Sequence, residues 1–213
     1  MEPSLLTSVL ILANGDGPSA DLARSLAKTH ERILVTDGAA GKLDVLGITA
    51  HSVCGDFDSI TPEMRVRWEH LEWIHTPDQN YGDLEKTLQI ALGSGARRIT
   101  VIGASGGRPD HMLANYSLLL RYGGQVDLTI ADENGIIRAV TAPASISLQT
   151  KVGDTISIIA AQRSSCWASG LKWELPSSLE PGTRAVSNVA VEEHVEITMT
   201  TGSAFICHLT GMG

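Results

Sequence analysis

Residues 53–63 read Val53-Cys54-Gly55-Asp56-Phe57-Asp58-Ser59-Ile60-Thr61-Pro62-Glu63. A short apolar run breaks at a glycine, two carboxylates follow, and a helix start comes next. Thr61 suits the N-cap of that helix and Pro62 its first turn. In an extended segment the side chains at i and i+2 point the same way, so the loop is expected to turn Asp56 and Asp58 to one side. Paired carboxylates repel and call for a cation or a shared proton. Oxygen-only ligands on a strand-to-helix loop suit Mg²⁺, which keeps several waters and bridges to substrate phosphates. A turn-capping Asp56 and an Asp58 at a helix N-terminus would account for the same residues, so the pair alone does not fix a function.

The same grammar recurs on either side. Val9–Ala13, Ile33–Val35, Leu71–His75, Ile99–Ile102 and Val126–Ala131 read as further strands. Helices are expected over Pro18–Lys28, from Thr61, around Leu84, Leu88, Ala91 and Leu92, and over Pro109–Arg121. Alternation of this kind over about 125 residues implies a mostly parallel sheet with helices on both faces. Each strand hands over to a polar loop: Asn14–Gly17, Asp37–Gly41, Gly55–Ser59, Thr76–Asn80 and Gly103–Asp110. Gly, Asp and Asn are ordinary turn formers. Five such loops after parallel strands, however, would share one edge and one crevice.

From about Asn134 the pattern changes. Ile146–Leu148, Thr155–Ala160, Arg184–Ser187, Val195–Thr200 and Ala204–His208 are short and rich in β-branched residues, and Gly and Pro punctuate them. The expected architecture is therefore α/β plus all-β: an α/β domain over 1–132 and a small all-β domain, a sandwich or barrel, over 133–213.

Composition narrows the partners. The 213 residues carry a net charge of −8 with 43% apolar residues, an ordinary globular balance. Both parts are net acidic, so nucleic-acid binding as the main task is disfavoured. No apolar run approaches a membrane span, and the run Val9–Ala13 is too short and wrongly flanked for a signal peptide. The three cysteines, Cys54, Cys166 and Cys207, have no C-x-x-C spacing and read as reduced thiols, which makes the cytoplasm the expected location.

Two more loops carry candidate chemistry. In Asp78-Gln79-Asn80-Tyr81-Gly82-Asp83-Leu84-Glu85-Lys86, Asn80 is expected to cap the helix with Asp83 three positions on. Asp83 and Lys86 would lie on a face opposite the Leu84–Leu88 stripe, where the lysine can hold a phosphate as a point charge. In Gly103-Ala104-Ser105-Gly106-Gly107-Arg108-Pro109-Asp110-His111, the glycines let backbone amides approach an anion and Arg108 offers a planar fork. Gly170-Leu171-Lys172-Trp173 and Ser187-Asn188 have no assignment from the residues alone.

Taken in order, these segments resemble the thiamine pyrophosphokinase family. The matching stretches are Leu12-Ala13-Asn14-Gly15, Asp37-Gly38-Ala39, Gly55-Asp56-Phe57-Asp58-Ser59, Thr76-Pro77-Asp78-Gln79 with Asp83 and Lys86, Gly106-Gly107-Arg108-Pro109-Asp110-His111, Gly170-Leu171-Lys172-Trp173 and Ser187-Asn188. They span nearly the whole chain. The resemblance implies that 1–132 is a nucleotide-binding catalytic domain and 133–213 a thiamine-binding β-sandwich, in a homodimer that transfers the terminal pyrophosphate of ATP to the thiamine hydroxyl, giving thiamine diphosphate and AMP. It places Asp56, Asp58 and Asp78 at Mg²⁺, and Asp56, Asp58, Asp83 and Lys86 at the chemistry. Asn14, Asp37, Arg108, Asp110 and His111 fall on the ATP side. Gln79, Asp83, Trp173, Ser187 and Asn188 fall on thiamine, with the thiamine site at the dimer interface. Asn80 and Gly82 replace the family's usual Asp and Thr, and His51-Ser52 stands where Pro-Asp is usual. A pyrophosphokinase for a pterin-like alcohol and a non-catalytic nucleotide- or thiamine-binding module are the alternatives.

Overall fold

The computed structural model describes residues 8–210. By packing, the chain divides into two units: residues up to Leu118 with Val126–Glu133, and Leu119–Gln125 with the chain from Asn134 onward.

In the first unit six strands run parallel: β1 Ser8–Leu12, β2 Arg32–Thr36, β3 Ser52–Gly55, β4 Glu72–His75, β5 Arg98–Ile102 and β6 Asp127–Asp132. Their order is β6-β5-β1-β2-β3-β4. β1 is buried along its whole length, as a strand covered on both faces must be. The edge strand β4 reads Glu-Trp-Ile-His and is exposed at both ends. The helices are α1 Ala20–Ala27, α2 Leu43–Leu46, α3 Pro62–Arg67, α4 Asp83–Gly93 and α5 Pro109–Tyr122, of which the last turn, from Leu119, counts with the second unit. Right-handed crossovers put α1–α3, which step outward from β1, on one face and α4 and α5, which step back, on the other. The strand order therefore reverses between β1 and β5, where ligands bind in open α/β sheets.

The local signals explain most boundaries. Thr61 caps α3 by accepting from the Met64 amide, with Pro62 in the first turn; such a cap is worth about 1 kcal/mol. Ser19 does the same for α1. His51 and Ser52 build the opposite end of the sheet. The Ile33 amide donates to His51 Nδ1 at 3.0 Å, and Ser52 Oγ bridges Arg32 and Glu72 at 2.9 and 2.7 Å. That is a structural reason for a departure whose meaning the sequence leaves open.

The second unit contains β7 Gly135–Thr141, β8 Ala144–Gln149, β9 Thr155–Ala160, β10 Ser165–Ser169, β11 Asn188–Val189, β12 His194–Thr201 and β13 Ser203–Leu209. One antiparallel set runs β11-β9-β13-β7 and another β10-β12-β8. Ile156, Ile158, Ala204 and Ile206 of the first set share a core with Leu148, Cys166, Val195, Ile197 and Met199 of the second. These are the two inner faces of a sandwich. The expected strand Arg184–Ser187 is not one. Those residues form a turn that ends with Ser187 at φ 61°, and pairing begins only at Asn188. β7 and β10 carry weaker alternation and went unread in the sequence.

Candidate active site

Asp37, Asp56 and Asp58 are brought together by the loops after β2 and β3. Each offers a carboxylate oxygen, and these lie within 4.8 Å of one another. Asp37 is almost fully buried. Its Oδ1 accepts from the Gly38 amide at 2.7 Å and its Oδ2 from the Phe57 amide at 2.8 Å. Burial pushes its carboxyl up; the two amides pull the other way, and the charges of Asp83 and Asp56 add to the rise. Gly55 is required here, because a Cβ would overlap the Asp37 carboxylate.

Asp56 and Asp58 meet by a different route from the one expected. Phe57 between them is not extended but left-handed, at φ 70°. That region is an outlier for an aromatic residue and costs about 1–3 kcal/mol, which the surroundings must supply. Gln79 Nε2 donates to Asp56 Oδ2 at 2.7 Å and the Asp58 amide to Asp56 Oδ1 at 3.2 Å. Those two donors, Gln79 first, hold the Asp56 carboxyl below the usual range.

The loop before α4 also differs from expectation. Gly82, extended at φ −70° and ψ 158°, precedes the first helical residue, and no side chain caps the helix. Asn80 turns instead to Asp78, whose Oδ1 accepts from both its backbone and side-chain nitrogens at 2.9 and 2.7 Å. Asp78 thus stands outside the group of three. Lys86 is not on a solvated face either: its side chain is 5% exposed, donates to the Thr76 carbonyl at 3.0 Å and pairs with Asp83 at 2.7 Å. Thr76, Asp78, Tyr81 and Lys86 border an open hollow of about 360 Å³.

At the strand-order reversal, the loops after β1 and β5 are stitched together by Gly15 N–H to the Gly103 carbonyl and Asp16 N–H to the Ser105 carbonyl, both 2.7 Å. α5 pins the second loop, with Asn115 donating to the Ala104 carbonyl and Tyr116 paired to Ser105. Gly106, at φ 74°, lies so close to Asp16 that a Cβ would overlap its carboxylate. Asn14 sits exposed on the first loop, beside Gly38. Lys42, missed in the sequence, donates to the Gly15 carbonyl; burial lowers its pKa and Asp16 opposes the shift. The Arg108 fork is engaged by Asp110 through bonds of 3.1 and 2.6 Å, which hold that carboxyl at about 2. His111 follows, exposed.

In the second unit Asn188 is buried, and its amide is spent on the neighbouring loop. Oδ1 accepts from the Trp173 amide at 3.1 Å and Nδ2 donates to the Trp173 carbonyl at 2.7 Å. This clamp presents the Trp173 indole, 51% exposed, with Lys172 Nζ 4.8 Å from the centre of its ring. The Ser187 amide donates to Ser157 Oγ at 2.9 Å.

Three crowded carboxylates, a buried lysine and a glycine loop leading into a helix all lie at the carboxyl ends of parallel strands. They lie along the edge, around the strand-order reversal, where open α/β sheets bind ligands, and the donor set suits a metal-bound phosphate. Comparison makes this specific. The model for the thiamin pyrophosphokinase catalytic domain matches residues 23–131, and that for the thiamin pyrophosphokinase vitamin B1 binding domain matches 144–204. Thiamin pyrophosphokinase 1 of Caenorhabditis elegans is 30% identical over 79% of this chain and 74% of its own. Thiamine pyrophosphokinase of Bacillus subtilis is 36% identical over 41% and 42%. Among solved structures, thiamin pyrophosphokinase from Geobacillus thermodenitrificans superposes with a TM-score of 0.83 at 21% identity, covering 97% of this chain and 99% of that one. The Bacillus subtilis enzyme gives 0.80 at 24%, over 97% and 100%. At such identities these structures speak for the fold. The chain belongs to the thiamin pyrophosphokinase family.

Proposed function

We propose that the chain transfers the terminal pyrophosphoryl group of ATP to the hydroxyethyl oxygen of thiamine, releasing AMP. The observation that carries this reading is the carboxylate trio at the mouth of a sheet whose sequence matches the family's catalytic model. The donor set suits a divalent cation: it is all oxygen, crowded with like charge, and anchored by a buried carboxylate whose pKa is raised chiefly by burial. Asp37, Asp56 and Asp58 would hold Mg²⁺, and the ion, when bound, supplies charge neutralisation on the phosphates. Asp37 moves in this reading from the ATP side to the metal, and Asp78 leaves it.

The remaining steps belong to the chain. Lys86, fixed by Thr76 and Asp83, offers a positive point charge to a phosphate. Asn14, Arg108, Asp110 and His111 line the nucleotide side. Asp83 orients the thiamine hydroxyl and accepts its proton as the oxygen bonds to the β-phosphorus and the bond to the AMP oxygen breaks. Gln79 contacts thiamine from beside Asp56. Trp173, Ser187 and Asn188 complete the thiamine site across the interface of a homodimer, Asn188 chiefly by holding Trp173. Thiamine is a permanent cation, so the acidic site favours it. Cysteines free of disulfides suit the cytoplasm, and among the described residues no helix is long and apolar enough to cross a membrane.

The test is product identity. ATP and thiamine with Mg²⁺ should yield AMP and thiamine diphosphate in equal amounts, and omission of either thiamine or the cation should stop both. Release of ADP, AMP formation without thiamine, or an equal rate with a pterin alcohol would refute the reading.

A further inference from the structure

Phe57 occupies a backbone region that its side chain disfavours, and the groups packed on its ring lie outside the carboxylate group. Its ring meets Trp73 edge-on at 5.3 Å between centroids, with an interplanar angle of 77°, and His75 at 5.6 Å. The Arg65 guanidinium carbon lies 3.8 Å from the Trp73 ring centre and 5.3 Å from that of Phe57. Trp73 is itself fixed, its indole N–H donating to the Trp68 carbonyl at 3.2 Å. Arg65 comes from α3, Trp73 from β4 and Phe57 from the loop between β3 and α3. Phe57 and Trp73 are only partly buried and Arg65 is exposed, so the stack is not part of the unit's core. What it borders is the Phe57 peptide, whose amide reaches Asp37 at 2.8 Å and whose neighbours are Asp56 and Asp58.

We infer that Trp73 and Arg65 are positioning residues. By gripping the Phe57 ring they keep its backbone left-handed, and so keep Asp37, Asp56 and Asp58 at cation-holding distance. Rotation of Phe57 to an ordinary conformation would withdraw its amide from Asp37 and swing Asp58 away from Asp56. Aromatic contact and cation–π attraction are each modest, but both act on the one residue whose conformation sets the spacing. Groups that orient ligands without touching the ion commonly change metal affinity by about 10- to 100-fold. This inference rests on the reading of the three carboxylates as a cation site.

The experiment uses the full chain and variants Trp73→Ala, Trp73→Phe, Arg65→Met and Phe57→Gly. Two quantities are read: hydrogen exchange of the Phe57 amide in cation-free protein, and the Mn²⁺ dissociation constant by calorimetry. Trp73→Ala should lose at least about tenfold in both, with Trp73→Phe recovering most of the loss and Arg65→Met falling between. Phe57→Gly takes up the left-handed backbone without a ring to grip, so adding Trp73→Ala to it should cost little further Mn²⁺ affinity. Unchanged Phe57 exchange in Trp73→Ala, or a further loss of about tenfold in Mn²⁺ affinity when Trp73→Ala is added to Phe57→Gly, would overturn the inference. Wild-type protein that binds no Mn²⁺ would sink the cation site; the clamp would then stand or fall on the exchange result alone.

Discussion

Asp37 shows how a residue's role emerges from its surroundings. In the sequence it is one more Asp-Gly after a strand. In the structure it is the buried member of the carboxylate group and fastens two loops by accepting from Gly38 and Phe57. Lys86 changed in the same way: its spacing placed it on a solvated face, yet the space beside Thr76 encloses it. Replacing it as Lys86→Met removes the charge and keeps most of the volume. Thiamine diphosphate formation should fall about 100-fold, while stability changes by less than about 2 kcal/mol; a rate within about threefold of wild type would show the ammonium is not used. Gly106→Ala forces a side chain onto a positive φ and into the Asp16 carboxylate. It should cost about 1–3 kcal/mol and raise the KM for ATP, and steady-state kinetics with an unchanged KM would remove that loop from the nucleotide site.

At the scale of elements, the parallel strands of the first unit were legible from their apolar runs and four of its five helices from apolar spacing and end signals; the one-turn α2, Leu43–Leu46, is too short to show a period. The caps at Thr61 and Ser19 carry their own side-chain signal. Asn80 misled because its side chain found Asp78 closer than the helix end. Arg184–Ser187 misled because composition reports β-branching but not a left-handed Ser187. One element contact was not readable at all. Before β9, Asp154 meets His208 of β13 at 2.7 Å, both nearly buried. Burial pushes the Asp154 carboxyl up, but the Lys151 amide and His208 outweigh it and the net shift is downward. A depressed carboxylate contributes stability that is present above its unfolded pKa and lost as pH falls through the folded one. His208→Leu should therefore lower stability near neutral pH by about 2 kcal/mol. Its deficit should shrink as pH falls into the range where Asp154 protonates. Denaturant titrations that show a deficit independent of pH would contradict the pairing.

For the molecule as a whole, the order of the motifs along the chain told more than any one of them. The strand-order reversal that makes the crevice, and the left-handed residue that gathers the carboxylates, depend on long-range pairing and so stayed hidden in the sequence. The departures at Asn80 and Gly82 leave the group of three carboxylates intact, so full pyrophosphoryl transfer is expected, not a binding module. Asp56 serves this chemistry through the crowded carboxylates. The most direct test is the rate of thiamine diphosphate formation by Asp56→Asn beside wild type at saturating Mg²⁺. A fall of at least about 100-fold is predicted; a rate within a few fold of wild type would contradict it.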